Sequence, residues 1–166
     1  LVGSKKNLQN TYKHLQSLGL NNLANPNDLQ IHDLEISSSD NESKSSYGNS
    51  SFYYLTTAIE IVKQYPNAAL VTGPICKKSW ALAGHYFSGQ TELLAKSCDV
   101  KNVGMLFTAK SPITGWRFNT LLATTHIALR EVPKKLTTKL IHSKLDLFKN
   151  FCKTYIDKPI LKVAGL

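Results

Sequence analysis

Short apolar runs alternate with longer stretches of helical period along this chain, and that alternation limits its folds more than any other feature. The runs are "LVG" at 1–3, "AALVTGP" at 68–74, "VGMLFTA" at 103–109 and "FNTLLATTH" at 118–126. Each is too short for a globular helix and is bounded by turn residues, the pattern of a strand. Between them, Leu8, Tyr12, Leu15 and Leu18 recur at helical spacing. So do Phe52, Leu55, Ile59 and Val62, and later Leu140, Leu147, Phe148 and Phe151. Strands alternating with amphipathic helices bury a mostly parallel sheet between helical layers. The pattern therefore predicts an α/β fold, layered α/β/α, whose mixed sheet is mostly parallel with one antiparallel excursion at 103–126.

Local signals refine this expectation. Ser4 suits the N-cap of a first helix that ends near Gly19. "LQIHDLEI" at 29–36 reads as a short strand, "KKSWALAG" as one or two helical turns, and "SGQTELLAKSC" as a helix entered through turn residues. Pro112 and Gly115 mark a turn between two strands. Thr137 caps a helix over 138–155, and "PILKVAGL" at 159–166 is a last strand with no helix after it. The polar segment "SSSDNESKSSYGNSS" at 37–51 buries too little apolar surface to offset its ordering entropy, which predicts a flexible loop.

At 166 residues, 42% of them hydrophobic, the chain is sized for one domain with a real core. No run approaches the roughly 20 apolar residues of a membrane span, and the opening residues lack a secretory pattern. Cys76, Cys98 and Cys152 are odd in number and show no CxxC pairing, which argues against a disulfide framework or zinc knuckle and predicts a reducing cytoplasm. The net charge of +9 comes from scattered lysine pairs, with Arg117 and Arg130 as the only arginines. Base readers rely on arginine. The charge is therefore read as solvated surface suited to anionic small molecules such as phosphate esters or a dinucleotide, and neither a nucleic acid nor a membrane is expected as a partner.

In open α/β sheets, chemistry collects beyond the carboxyl ends of strands. "LVTGP" and "ATTH" both end strands, which places His126 where a site is expected. On the residues alone, a histidine at a strand end is more often simply hydrogen-bonded. Thr91 and Glu92 also read as an ordinary helix start. His14, His32 and His142 read as surface residues, and His85 as an exposed loop histidine. Cys76 has no acid–base partner in sequence and is not expected to act as a nucleophile. Thr124 and Thr125 are expected to satisfy backbone groups beside His126.

The blocks "AALVTGPICKKSWALAGHYFSGQTELLAK", "VGMLFTA", "LLATTHIALREVPKKLTTKLI" and "KPILKVAGL", in that order, resemble the 4-hydroxythreonine-4-phosphate dehydrogenase family of vitamin B6 biosynthesis. The resemblance implies an isocitrate/isopropylmalate dehydrogenase-like fold and a homodimer. It implies NAD, or NADP, as cofactor, with a divalent metal such as Zn, Mg or Co. The implied reaction oxidises 4-phosphohydroxy-L-threonine, after which the keto acid loses carbon dioxide. His126 matches the metal-ligand histidine of the ATTH segment, and the remaining ligands lie in family segments that this chain lacks, one of them from the partner subunit. Gln90 and Thr91 match the family's substrate-contacting His-Thr, with glutamine standing where the family has histidine. Lys77 matches the lysine of the TGPxxK segment. Family members are longer at both ends, so residues 1–166 are expected to be one incomplete region of a two-domain subunit, inactive alone. No GxGxxG is present, so the NAD contacts and the catalytic residues stay unassigned. Two rivals stand beside this reading: a paralogue acting on a four-carbon sugar-acid phosphate, and a non-catalytic binding domain that keeps the fold.

Overall fold

The computed structural model describes residues 1–36, 43–155 and 162–164. They divide into two compact units, Leu1–Cys98 and Asp99–Leu166.

In the first unit, β1 (Val2–Gly3) pairs in parallel with β2 (His32–Asp33), Val2 opposite His32. Helix α1 (Lys5–Ser17) starts at Ser4, whose Oγ accepts from the Asn7 N–H at 3.2 Å. It stops because Gly19 adopts a φ of 83°, so that the Gly19 and Leu20 amides turn back to the Gln16 and Leu15 carbonyls at 2.9 and 3.2 Å. Those bonds satisfy carbonyls that a helix end otherwise leaves open.

Helix α2 (Lys44–Lys63) corrects the loop expected over 37–51. Ser43 caps it, its Oγ accepting from the Ser46 N–H at 3.1 Å, so part of the serine-rich stretch supplies a helix start. Residues 37–42 lie outside the described residues. The first turns are held by packing: Gly48 lies so close to helix α3 (Lys77–Leu82) that a Cβ built on it would fall 2.0 Å from the Ser79 carbonyl oxygen. Composition alone is a poor guide where a glycine permits two backbones to touch.

The core of this unit is Leu55 and Ile59 from α2, Trp80 from α3, and Leu93 from α4 (Gln90–Ser97). Phe52, Leu70, Ile75, Phe87 and Leu94 pack around it. The Trp80 indole is fully buried and donates its N–H to Ser51 Oγ at 2.9 Å. Its ring meets Phe52 and Phe87 edge-on, with centroids 5.4 and 6.4 Å apart. Aromatic rings prefer that geometry because the positive ring edge faces the negative ring face.

In the second unit, β3 (Leu106–Lys110) and β4 (Arg117–Leu121) form an antiparallel hairpin, from Leu106 opposite Leu121 to Lys110 opposite Arg117. The expected antiparallel excursion and its turn are therefore present. Ser111 Oγ accepts from the Ile113 and Thr114 amides, and Gly115 takes a φ of 71°. A short helix α5 (Val132–Lys135) precedes α6 (Thr138–Tyr155). Thr137 caps α6 as expected, its Oγ1 accepting from the Leu140 N–H at 3.2 Å. Lys144 Nζ donates to the Val103 carbonyl and Asn102 Nδ2 to the Ser143 carbonyl, which ties α6 to the segment entering β3.

The single mostly parallel sheet is not what the described residues contain. They hold two two-stranded sheets, one parallel and one antiparallel. The 68–74 segment forms no ladder: strand character needs a backbone neighbour about 4.8 Å away, and the only partner of β1 among the described residues is β2. Only His32 and Asp33 of the strand expected at 29–36 are paired. The strand expected over 118–126 ends at Leu121. The last strand, expected at 159–166, falls mostly outside the described residues, and 162–164 carry no regular structure.

Candidate substrate site and the place of His126

Gln90 opens α4 behind an extended Gly89. Its carboxamide spans back to the 72–74 turn: Oε1 accepts from the Thr72 hydroxyl at 2.5 Å, and Nε2 donates to the Gly73 carbonyl at 2.8 Å. The "TGP" and "GQTE" segments thus meet through one side chain. Lys77, the first residue of α3, reaches Gly89, the residue before Gln90: a Cβ built on Gly89 would lie 3.7 Å from Lys77 Nζ and 3.2 Å from Glu92 Oε2. Lys77 has no ion-pair partner among the described residues. Thr91 is half-buried, and its hydroxyl makes no hydrogen bond among the described residues.

A cleft of ≈ 210 Å³ adjoins this cluster. Thr72, Gly73 and Gln90 form its polar part, while Tyr54, Leu55 and Leu70 supply apolar wall. An apolar pocket with a few convergent polar groups is the usual form of a small-molecule site. Of the residues singled out in sequence, Lys77, Gln90 and Thr91 come together here. Thr72 and the Gly73 carbonyl were missed as individual groups. "TGP" was legible as a turn, but the hydroxyl's role depends on a side chain eighteen positions away.

Cys76 sits at the N-cap of α3 with an exposed thiol. Hydrogen bonding from the Ser79 side chain, then from the Ser79 backbone, holds its pKa below the usual thiol value by stabilising the thiolate. Burial pushes the Cys152 thiol up. Alkylation with iodoacetamide across a pH series, followed by peptide mapping, should therefore label Cys76 at lower pH than an unperturbed cysteine. Cys152 should stay unlabelled until the fold opens. Equal rates at the two positions in the folded protein would contradict both assignments.

His85 is not the exposed loop histidine expected. Its ring stacks on Phe52 with centroids 3.7 Å apart, and Nε2 lies 2.9 Å from Asn49 Oδ1. The apolar neighbours of α2 give an imidazole more to pack against than its loop position suggests. His14, His32 and His142 are exposed, as expected.

His126 belongs to the second unit. It is exposed and lies past the end of β4 at a φ of 57°, so it points from a tight left-handed turn rather than from the strand itself. Thr124 and Thr125 make no side-chain hydrogen bond among the described residues, against expectation. An exposed imidazole fits one position in a metal's coordination shell. Among the described residues, however, no three His, Cys, Asp or Glu side chains gather closely enough to hold an ion. The described residues therefore fit one ligand and not a metal centre.

Compared with known proteins, the chain matches the pyridoxal phosphate biosynthetic protein PdxA family over residues 1–166. A protein of Synechococcus sp. (strain RCC307) named 4-hydroxythreonine-4-phosphate dehydrogenase is 44% identical over 168 residues, covering 100% of this chain and 51% of that protein. A Nostoc sp. (strain PCC 7120) protein of the same name is 44% identical over 157 residues, covering 89% of this chain and 42% of its own length. Among solved structures, a Salmonella typhimurium protein provisionally assigned as a 4-hydroxythreonine-4-phosphate dehydrogenase superposes with a TM-score of 0.69. It covers 92% of this chain and 49% of its own, at 21% identity, a likeness that speaks for the fold alone. The chain spans about half the length of the curated relatives it matches. Matched from its first residue to its last, it belongs to the PdxA family of pyridoxal phosphate biosynthetic proteins.

Proposed function

We propose that the complete natural polypeptide carrying this chain is an NAD-dependent 4-hydroxythreonine-4-phosphate dehydrogenase that oxidises 4-phosphohydroxy-L-threonine, after which the product loses carbon dioxide. The observation that carries the reading is the meeting of Thr72, Gly73 and Gln90 at one cleft, with Lys77 reaching the adjacent Gly89, in a chain of this family. Lys77 supplies a cation and Gln90 a neutral donor, a set suited to a phosphate or carboxylate oxygen. The Thr91 hydroxyl is a third polar contact. NAD, when bound, takes the hydride from the secondary alcohol carbon, and no described residue is assigned to it.

His126 is proposed as one ligand of a divalent ion, Zn, Mg or Co, whose other ligands come from outside the described residues. The same reading takes residues 1–166 as part of a larger two-domain subunit with isocitrate/isopropylmalate dehydrogenase-like layering. It works as a cytoplasmic homodimer with the metal site shared between subunits. No described helix is long and apolar enough to cross a membrane, which is compatible with that setting.

Gln90 favours one second reading, a paralogous dehydrogenase of a four-carbon sugar-acid phosphate, because a carboxamide cannot carry the charge or proton of the family's histidine. NADH formation by the complete polypeptide separates the two. Turnover of 4-phosphohydroxy-L-threonine is expected; turnover of the sugar-acid phosphate alone would overturn the first reading.

A further inference from the structure

We infer that Thr72 is a positioning residue that anchors the oxygen end of the Gln90 carboxamide, whose facing the Gly73 carbonyl sets, so that this site offers an anionic oxygen a fixed donor that does not titrate. The inference rests on the reading of Gln90 as a substrate contact and says how that contact is set.

The orientation follows from donor and acceptor chemistry. The Gly73 carbonyl can only accept, so the Gln90 atom 2.8 Å from it must be the NH₂. Turning the amide over would set two acceptors against each other there. Oε1 then faces Thr72 Oγ1 at 2.5 Å, and because a carboxamide oxygen only accepts, the threonine must donate its proton. Both ends of the amide are thereby committed. One Nε2–H remains without a partner among the described residues, while the threonine has spent its only donor.

What the trio can present is accordingly one amide N–H, with the Lys77 ammonium flanking the preceding residue, Gly89. Both are donors only. Glu92 Oε2, on the Gly89 side of the cluster, supplies the nearby negative charge. Such a pair selects an oxygen that is already deprotonated, a phosphate ester or a carboxylate, over a neutral hydroxyl that needs an acceptor. An imidazole in place of Gln90 would add a group that changes charge near pH ~6.5. The carboxamide removes that dependence.

Steady-state kinetics of the complete polypeptide test this with four variants. Gln90→Ala should raise KM about tenfold, the loss of one charge-facing hydrogen bond. Thr72→Val, which keeps the branched shape and removes the hydroxyl, should raise KM about fivefold with kcat within about twofold, the amide then being held at its nitrogen end alone. Thr72→Ser should restore KM to within about twofold of wild type, because the donor returns. Gln90→His should make the ratio of variant to wild-type KM climb as pH rises through about 5.5–7.5, because the cationic donor is lost.

A Thr72→Val enzyme with wild-type KM, beside a Gln90→Ala enzyme with raised KM, would overturn the role of Thr72 and leave Gln90 as a substrate contact. Unchanged KM in Gln90→Ala would overturn that contact itself. A flat KM ratio for Gln90→His would overturn the anionic ligand. Equal loss in Thr72→Val and Thr72→Ser would mark a packing role and also overturn the inference. Thermal unfolding of each variant identifies any misfolded protein, and Thr72→Ala then replaces Thr72→Val under the same criteria.

Discussion

Trp80→Ala is expected to destabilise the Leu1–Cys98 unit by about 3–5 kcal/mol, the usual loss for a large aromatic truncated in a core. Three effects add up here. Trp80 is fully buried, so its whole ring area returns to water or leaves a cavity. It is the side chain through which α3 reaches the core that α2 and α4 complete. Its N–H also satisfies Ser51 Oγ in a partly buried position. Trp80→Phe keeps most of the apolar volume and should cost less, about 1–2 kcal/mol, mainly from the lost hydrogen bond and gap. Denaturant unfolding followed by circular dichroism measures both. A Trp80→Ala loss under about 1 kcal/mol would mean that the ring is not the centre of this core. The prediction also bears on the site, because the helix that carries Trp80 begins at Lys77.

His126→Ala is expected to remove metal-dependent turnover by the complete polypeptide, by at least about 100-fold, because even supporting residues around bound metals cost 10–100-fold when removed. Stability should scarcely change. The side chain is exposed, makes no hydrogen bond among the described residues, and the backbone strain of a positive φ is paid by alanine as by histidine. His126→Asn separates the two effects, since asparagine tolerates the left-handed region but is a poor ligand for zinc. Wild-type rates in both variants would dismiss His126 from the chemistry. Loss of rate in the alanine variant with full activity in the asparagine variant would assign the residue a backbone role.

Helix positions were largely legible in the sequence because their signals are local. Ser4, Thr137 and Gly19 sit where caps belong, and the Phe52–Leu55–Ile59 spacing lies on the inner face of α2. The strands were less so. A strand is completed by a neighbour remote in sequence, and the 68–74 run has none among the described residues, whatever its apolar content. The serine-rich stretch misled for a related reason: Gly48 makes its helix viable through a contact with Ser79, thirty-one positions away. Lys77, Gln90 and Thr91 of the candidate site are legible through family motifs. The hydroxyl of Thr72 is not, because its value lies in a bond to Gln90 that no local pattern announces. His126 was placed at a strand end but stands on a left-handed turn beyond it.

The most direct measurement is anomalous diffraction from crystals of the complete polypeptide soaked with zinc. A peak about 2.0–2.1 Å from an imidazole nitrogen of His126 is the expected result, the ordinary zinc–histidine distance. Zinc held elsewhere, with the His126 ring turned away from it, would contradict the assignment of this residue and of the metal-assisted oxidation that depends on it.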